Sequence, residues 1–303
     1  MNSESHRFPL FAGLDAGSTS VKMIVTDGKT EYFSAYRLHR GDHFGTIRSL
    51  LAEASEAGIR SCRSLCTTGS GRKLAGRMTR ADQVKNEITA TWRAVAQHYP
   101  DAATVIEIGG QDSKLITLEK GEISGFRLNS VCAAGTGSFI QQQASRLGIP
   151  IERLSELSLA AHDKARFTGR CTVFAETEMV NLQQRGFSVE AIAAGLSDAI
   201  CENYLKDLSP GMTLRAPYIF CGGVAGLPAV VRAFEQKLGS EITVPPFFKT
   251  AAAYGAALLA MDMNASDADR RLAVTGTDIS ARPESCGRTD CLTCGKCALP
   301  ERA

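Results

Sequence analysis

Two segments of this 303-residue chain resemble each other, and this repeat restricts the possible folds more than any other feature of the sequence. They are residues 11–28 (FAGLDAGSTSVKMIVTDG) and 104–121 (TVIEIGGQDSKLITLEKG). Each has a short apolar run, an acidic residue, a polar turn with glycine, and then a serine and a lysine that lead into a second apolar run. This pattern predicts two β-hairpins with polar tips. The hairpins begin about 93 residues apart, which favours a duplicated domain over a short solenoid repeat.

The rest of the chain alternates between helix and strand patterns. Strands are predicted at 65–69 and 218–220, each ending at a glycine turn. Apolar residues recur at helical spacing in segments 45–58, 86–98, 137–147, 173–185, 188–205, the segment after Gly222-Gly223, and 251–263. We therefore expect an α/β fold with mixed sheets in two domains, residues 1–103 and 104–250. Helix 251–263 follows the second domain. Residues 264–303 then form a linker (264–285) and a cysteine-rich tail.

Charge and hydropathy exclude several classes of function. The net charge of +2 is too small to indicate binding to nucleic acid or to a membrane surface. No apolar run approaches the ~18 residues of a membrane span. The residues before the first hairpin contain no apolar signal-peptide core. We therefore expect a cytoplasmic protein, in which disulfides are not expected.

The polar tips of the two hairpins have the composition of phosphate-binding loops. Gly17 allows the backbone to approach an anion, and Ser18 and Thr19 offer hydroxyl and N–H donors to phosphate oxygens. Asp15, at the end of the first strand, can hold Mg²⁺ through water. The second hairpin offers Glu107, Gly109, Gly110, Gln111 and Asp112. Facing hairpins would hold the β- and γ-phosphates of a nucleotide from both sides, and Gln111 would orient the attacking water.

Either hairpin alone is also compatible with an ordinary tight turn. A third glycine turn, Gly222-Gly223, lies between a predicted strand and a predicted helix, where an anion or a nucleoside can approach the backbone. The Walker pattern, G-x-x-x-x-G-K followed by Ser or Thr, is absent from the sequence, so this is not a P-loop.

Six of the ten cysteines lie within the two predicted domains. Cys62, Cys66, Cys201 and Cys221 lie in apolar or helical segments, and we expect them to pack in the core. Cys132 and Cys171 precede or open predicted helices, and a helix N-terminus favours a thiolate. Two thiolates are half of the ligand set of a [4Fe–4S] cluster, and a two-fold homodimer would supply the other half. The alternative is two ordinary cysteines at helix ends.

The other four cysteines lie within twelve residues of the tail, with the spacing C-x4-C-x2-C-x2-C: Cys286, Cys291, Cys294 and Cys297. The segment is too polar to form a core, and four exposed thiols would be open to oxidation, so metal ligation is favoured. The C-x2-C-x2-C run is typical of ferredoxin ligand sets. We expect a second [4Fe–4S] cluster that relays electrons to or from the first. Zinc, or ligation completed by a partner, is the alternative.

Several motifs resemble those of known ATP-binding proteins. DAGSTS, IGGQDSK and CGGVAG resemble, over residues 10–262, the two phosphate loops and the adenosine loop of the acetate/sugar kinase–Hsp70–actin fold, with its duplicated ribonuclease H-like domains. NSVCAAGTGSFI and CTVFAETE resemble signature segments of the BadF/BadG/BcrA/BcrD-type ATPases. Within that family they resemble most the activators of 2-hydroxyacyl-CoA dehydratases, also called component A or archerases. TTGSGR and NEITA resemble the family as well, although Ser70 stands where an aromatic residue is usual.

The resemblance implies a homodimer that binds ATP and Mg²⁺ between two domains, with helix 251–263 returning to the first. It implies that ATP hydrolysis drives an electron from a [4Fe–4S] cluster, bridging the subunits through Cys132 and Cys171, to a partner iron–sulfur dehydratase or reductase. Ferredoxin or flavodoxin would be the electron donor. The expected catalytic residues are Asp15, Glu107, Gln111 and Asp112. The expected nucleotide-contacting residues are Gly17, Ser18, Thr19, Ser20, Lys22, Gly109, Gly110, Gly135, Thr136, Gly137, Glu176, Gly222 and Gly223.

Other functions are compatible with the same fold. Two relatives with the same machinery are the ATPase components of benzoyl-CoA reductases and of double-cubane cluster proteins. A small-molecule kinase would need a base beside a substrate hydroxyl, for which the sequence gives no signal. An actin-like filament protein would need large assembly surfaces. Iron content separates the electron-transfer hypothesis from the kinase and the filament.

Overall fold

The computed structural model describes residues 9–129, 133–168, 172–263 and 270–272. Cys132, Cys171 and the four tail cysteines lie outside these residues. The helices of the described residues are α1 His43–Glu56, α2 Arg72–Thr79, α3 Glu87–His98, α4 Gly137–Arg146, α5 Ile151–Ala160, α6 Thr172–Gln184, α7 Val189–Leu208, α8 Pro228–Leu238 and α9 Ala251–Asp262. The strands are β1 Phe11–Ala16, β2 Ser20–Thr26, β3 Glu31–Leu38, β4 Ser61–Cys62, β5 Ser64–Thr68, β6 Gln83–Val84, β7 Thr104–Ile108, β8 Ser113–Glu119, β9 Glu122–Asn129, β10 Tyr218–Cys221, β11 Ile242–Thr243 and β12 Arg270–Arg271.

The first predicted hairpin lies in a five-stranded sheet with the order β3-β2-β1-β5-β6. β1 pairs antiparallel with β2 and parallel with β5. All six residues of β1 are buried, because helices cover both of its faces. Ala12 and Leu14 pack in the cluster formed with α1, whereas Phe11 and Gly13 face α9. The apolar composition of this strand therefore follows from its central position.

The second hairpin lies in a sheet that repeats the topology of the first. Its order is β11-β10-β7-β8-β9. Read from β9 to β11, this order matches that of the first sheet, with β7, β8 and β9 in the places of β1, β2 and β3, and β10 and β11 in the places of β5 and β6. β7 pairs antiparallel with β8 and parallel with β10, as β1 does with β2 and β5. Both predicted hairpins and the predicted duplication are confirmed.

Helices α3 and α9 connect the two sheets. A Cβ atom on Gly13 would lie 2.0 Å from the Ala253 carbonyl oxygen, and one on Gly255 would lie 1.7 Å from the Ala90 carbonyl oxygen. Glycine at these two positions therefore lets α9 approach β1 and α3 at backbone distance. Ile88 of α3 belongs to the hydrophobic cluster of the second sheet. The two helices thus fix the relative position of the hairpins.

The structure contains elements that the sequence pattern did not predict. α2 has the sequence RKLAGRMT, whose short length and charge hide its helical periodicity. α5 begins after Pro150 and was also missed. Within the segment predicted as a linker, β12 pairs antiparallel with β4, and the buried Leu272 donates its N–H to the Arg60 carbonyl oxygen at 2.9 Å. The chain therefore forms a separate two-stranded sheet with β4 and returns to the hydrophobic cluster of the first sheet before the tail begins.

Candidate functional site

The tips of the two hairpins meet at a cleft between the two sheets. The first tip is residues 17–19, between β1 and β2, and the second is residues 109–112, between β7 and β8. A Cβ atom on Gly110 would lie 2.3 Å from Thr19 Oγ1, so the tips can touch only because residue 110 is glycine. The cleft has a volume of about 660 Å³, which is typical of a small-molecule binding site.

Most of the predicted site residues line this cleft. They are Asp15, Gly17, Ser18, Thr19, Ser20, Lys22, Glu107, Gly109, Gly110, Asp112, Gly137, Gly222 and Gly223. Gln111 is exposed at the second tip and is not among the lining residues. The cleft lining also includes Tyr36, Glu87, Glu152 and Lys249, which the sequence interpretation did not assign to the site.

In the first hairpin, an ion pair joins the two strands next to the tip. Asp15 and Lys22 are register partners, and Lys22 Nζ lies 2.8 Å from Asp15 Oδ2. Burial alone would lower the pKa of Lys22, but the charge and the hydrogen bond of Asp15 outweigh it, and the pKa is raised. Lys22 therefore stays positively charged at neutral pH and can attract an anion into the cleft.

The second hairpin repeats this ion pair with additional carboxylates. Glu107 and Lys114 are register partners, 92 positions after Asp15 and Lys22 respectively. Lys114 Nζ lies 2.7 Å from a Glu87 carboxylate oxygen, 2.9 Å from Glu107 and 3.1 Å from Asp112. Burial would lower the pKa of Lys114, but these three carboxylates raise it well above its usual value.

Glu87 is the acidic residue of this group that the sequence interpretation missed. The Asn86 side chain accepts a hydrogen bond from the Thr89 N–H, so α3 starts at Glu87 and brings it beside Lys114. Burial raises the pKa of Glu87, although the Lys114 charge opposes the shift. Later in the same helix, Thr91 Oγ1 donates to Glu107 Oε2 at 3.0 Å and orients that carboxylate. Asn86 and Glu87 belong to the NEITA motif, residues 86–90, which was the sequence signal for the start of α3.

The glycine turn after β10 forms a further wall of the cleft. Gly222 has φ +89°, and a Cβ atom there would lie 2.3 Å from the Ile108 carbonyl oxygen. Its N–H donates to the Phe248 carbonyl oxygen at 2.8 Å. Apolar side chains also line the cleft, namely Ile151, Val224, Leu227 and Phe248. The cleft thus combines charged hairpin tips with an apolar wall, as a nucleotide requires.

Three predicted nucleotide contacts do not line the cleft. Gly135 and Thr136 are buried, and Thr136 Oγ1 donates to the Ala133 carbonyl oxygen at 2.8 Å. Glu176 of α6 forms an ion pair with Arg146 of α4 at 3.0 Å. Direct contact of these three residues with a nucleotide stays a prediction.

The cleft carries more acidic than basic side chains. Its carboxylates are Asp15, Glu87, Glu107, Asp112 and Glu152, and its ammonium groups are Lys22, Lys114 and Lys249. A triphosphate would add negative charge to this cleft, so its binding calls for a divalent cation. Carboxylates and retained water are the ligands that Mg²⁺ prefers, and the donor set fits that ion. None of the described residues form a group of three or more His, Cys, Asp or Glu positioned to hold a metal ion.

The cysteines expected in the core are buried, as predicted: Cys62, Cys66, Cys201 and Cys221. Burial raises the pKa of the Cys66 thiol to about 12, and it also raises the pKa values of Cys201 and Cys221 above their usual range. These thiols are therefore protonated and unreactive. Within the described ranges, no helix is long and apolar enough to cross a membrane.

Comparison with known proteins identifies a family. Residues 12–260 match the BadF/BadG/BcrA/BcrD ATPase family. The (R)-2-hydroxyglutaryl-CoA dehydratase activating ATPase of Acidaminococcus fermentans is 32% identical over 251 residues, which cover 82% of this chain and 95% of that protein. The uncharacterized protein MJ0800 of Methanocaldococcus jannaschii is 31% identical over 254 residues, 82% of this chain. The match spans only 61% of the length of MJ0800.

Solved structures agree with this assignment. The crystal structure of component A of the A. fermentans dehydratase superposes with a TM-score of 0.76 and 30% identity over 84% of this chain and 98% of that one. The activator of the 2-hydroxyisocaproyl-CoA dehydratase from Clostridium difficile, solved with bound ADPNP, gives a TM-score of 0.77 and 28% identity over 84% and 94%. Together with the repeated sheet topology, these similarities confirm the predicted two-domain fold of acetate/sugar kinases, Hsp70 and actin.

Proposed function

Because the chain belongs to the BadF/BadG/BcrA/BcrD ATPase family, we propose that it hydrolyses ATP in the cleft and thereby drives an electron from a dimer-bridging [4Fe–4S] cluster to a partner iron–sulfur enzyme. The observation that carries the proposal is the pair of touching hairpin tips with the repeated Asp15–Lys22 and Glu107–Lys114 ion pairs. The names of two relatives favour a 2-hydroxyacyl-CoA dehydratase as the partner. The proposal keeps the cytoplasmic location predicted from the sequence.

Hydrolysis would depend on the residues at the two tips. Lys22 and the backbone N–H groups of the first tip would bind phosphate oxygens, and Asp15 would hold Mg²⁺ through water. Glu107, Gln111 and Asp112 are the candidates for orienting the attacking water. The hydrogen bond from Thr91 and the ion pair with Lys114 support Glu107, because they fix its carboxylate at the cleft. Such positioning supplies most of the catalysis of phosphoryl transfer.

The second hairpin offers a route from the phosphates to Cys132. The Gly109 carbonyl oxygen accepts a hydrogen bond from the Gly137 N–H, and the Gly110 carbonyl oxygen accepts one from the Ser138 N–H, both at 2.8 Å. These donors form the first turn of α4, which begins five residues after Cys132. A shift of the second tip on loss of the γ-phosphate would therefore move the start of α4.

Cys132 and Cys171 are the proposed cluster ligands. Both lie outside the described residues, and each comes just before a described helix, α4 or α6. Thiolates at helix starts suit an anionic iron–sulfur cluster, which supplies one-electron transfer when bound. Each chain supplies only two such ligands, so a second copy is required. Val173 and Phe174, in the first turn of α6, are each 68% exposed, which supports a second chain covering this end of the helix.

We also propose that the tail cysteines bind a metal, either a second [4Fe–4S] cluster or zinc. The described part of the chain ends at Leu272, directly after the β4–β12 pair, and Cys286 follows 14 residues later. The spacing of the tail cysteines is the support for this proposal, since the family match ends at residue 260.

The test is to purify the protein without oxygen and to measure ATP hydrolysis and iron in the same sample. We expect Mg²⁺-dependent hydrolysis and about four iron atoms per two chains for the bridging cluster, with additional iron if the tail holds its own clusters. Hydrolysis without iron would contradict the electron-transfer role. ATP-dependent reduction of a benzoyl-CoA reductase component, but not of a dehydratase, would favour the alternative partner.

A further inference from the structure

Two histidines hold the tip of the first hairpin from outside the cleft. His39 Nε2 lies 2.7 Å from the Ser18 carbonyl oxygen, and His43 Nε2 lies 3.1 Å from the Gly17 carbonyl oxygen. The two rings stack, with their centroids 3.6 Å apart. The His39 backbone N–H also donates to the Thr19 carbonyl oxygen at 3.2 Å. His39, directly after β3, and His43, at the start of α1, thus contact three consecutive carbonyl groups of the tip.

The chemistry of the contacts determines which ring nitrogen carries the proton. A carbonyl oxygen can only accept, so Nε2 of each histidine must donate. The Gly41 N–H donates to His39 Nδ1 at 2.9 Å, so that nitrogen must be unprotonated. His39 is therefore held as the neutral tautomer with its proton on Nε2.

Holding these carbonyls outward turns the neighbouring N–H groups inward. In a trans peptide, the C=O of one residue and the N–H of the next lie in one plane and point in opposite directions. The carbonyls of Gly17 and Ser18 point towards the histidines, so the N–H groups of Ser18 and Thr19 point away from them. Ser18 and Thr19 line the cleft. We infer that His39 and His43 are positioning residues that orient these two N–H groups towards the phosphates of the nucleotide.

The second hairpin supports this inference independently. Gly109 and Gly110 are the residues 92 positions after Gly17 and Ser18, and their carbonyl groups are held as well. The donors there are the N–H groups of Gly137 and Ser138. Two structurally different sets of donors thus bind the same two carbonyls in the two halves of the chain. The shared feature is that both carbonyl groups are hydrogen-bonded in each tip, so the peptide planes that follow them are held in a fixed orientation.

The inference rests on the proposed function, because it assumes that the cleft binds a nucleotide. The test is calorimetric titration of the full-length protein with Mg²⁺–ADPNP, together with KM and kcat for ATP hydrolysis. His43→Phe keeps a stacking ring but has no donor, whereas His43→Gln can keep a donor near the Nε2 position. We expect His43→Phe to weaken binding and raise KM about tenfold, the scale of one lost hydrogen bond. His43→Gln should stay within about threefold of the wild type.

The outcomes separate the inference from the proposed function. If the wild type does not bind Mg²⁺–ADPNP, the proposed function fails and the inference falls with it. If the wild type binds and His43→Phe binds equally well, or if His43→Gln is as weak as His43→Phe, the inference is overturned while the proposed function stands. Should His43→Phe fail to fold by circular dichroism, the same comparison is made with His39→Phe and His39→Gln, for which the same results are expected.

Discussion

Replacement of Lys114 by methionine should destabilise the protein more than the same replacement of Lys22. Lys114 is 4% exposed and is the cation shared by Glu87, Glu107 and Asp112. Removing it leaves three carboxylates close together without the cation that they share. Breaking a buried ion pair by removing one partner costs about 3–5 kcal/mol, and the low exposure of Lys114 gives little solvent screening. We expect a loss of this size in urea unfolding of the nucleotide-free protein.

Lys22→Met is the matched control for this prediction. Lys22 is the equivalent residue of the first hairpin, but it contacts one carboxylate and is 15% exposed. Its replacement should cost about 1.5–3 kcal/mol, the scale of a hydrogen bond between charged groups. Equal losses in the two variants, or a larger loss for Lys22→Met, would refute the role given to the three-carboxylate site.

The Lys114→Met variant should also respond to pH with a defined sign. In the wild type, the raised pKa of Lys114 contributes stability that is fully present below the unfolded value, and it is lost only as pH rises through the folded value. In the variant, the carboxylates lack their shared cation and are expected to bind protons more readily in the folded state. The deficit relative to the wild type should therefore shrink as pH falls from 8 to about 5. A deficit that does not change over this range would contradict the electrostatic explanation.

Three further predictions concern the hairpins and the tail. Asp15→Ala and Gln111→Ala should each lower the ATPase rate about 10²-fold, the scale of one lost electrostatic or positioning contact, and wild-type turnover in both would reject their roles. Gly110→Ala should abolish tight Mg²⁺–ADPNP binding in calorimetry, because its Cβ would lie 2.3 Å from Thr19 Oγ1; unchanged affinity would show that the tips need not touch. A chain ending at Leu272, which keeps the β4–β12 pairing, should lose the tail's metal in elemental analysis. Loss of zinc with unchanged iron would reject a tail iron–sulfur cluster. Unchanged metal content would reject metal ligation by the tail altogether.

The sequence predicted the hairpins and the duplication because the chemistry of each hairpin is local. Asp15 and Lys22, like Glu107 and Lys114, are seven positions apart in a pattern of two short strands and a polar turn. Buried central strands must be apolar, so their composition marks them in the sequence. These features made the fold and most of the cleft lining predictable.

Contacts between distant segments could not be predicted in the same way. Glu87 reaches Lys114 from another element, and nothing in the periodicity of α3 distinguishes it from an ordinary first-turn acid. His39 and His43 bind backbone carbonyl groups of another element, so no motif marks them. The return of Leu272 to the hydrophobic cluster of the first sheet follows a two-residue strand, which is too short to show alternation.

The central claim is that the protein couples an ATP site to an iron–sulfur cluster bridging two copies of the chain. The most direct test is the iron content and dimer mass of the chain ending at Leu272, compared with its Cys132→Ser and Cys171→Ser variants, all prepared without oxygen. The account predicts about four iron atoms per dimer in the parent chain, loss of that iron in each variant, and unchanged Mg²⁺–ADPNP affinity. Full iron in both variants, or a complete cluster on a monomer, would contradict it.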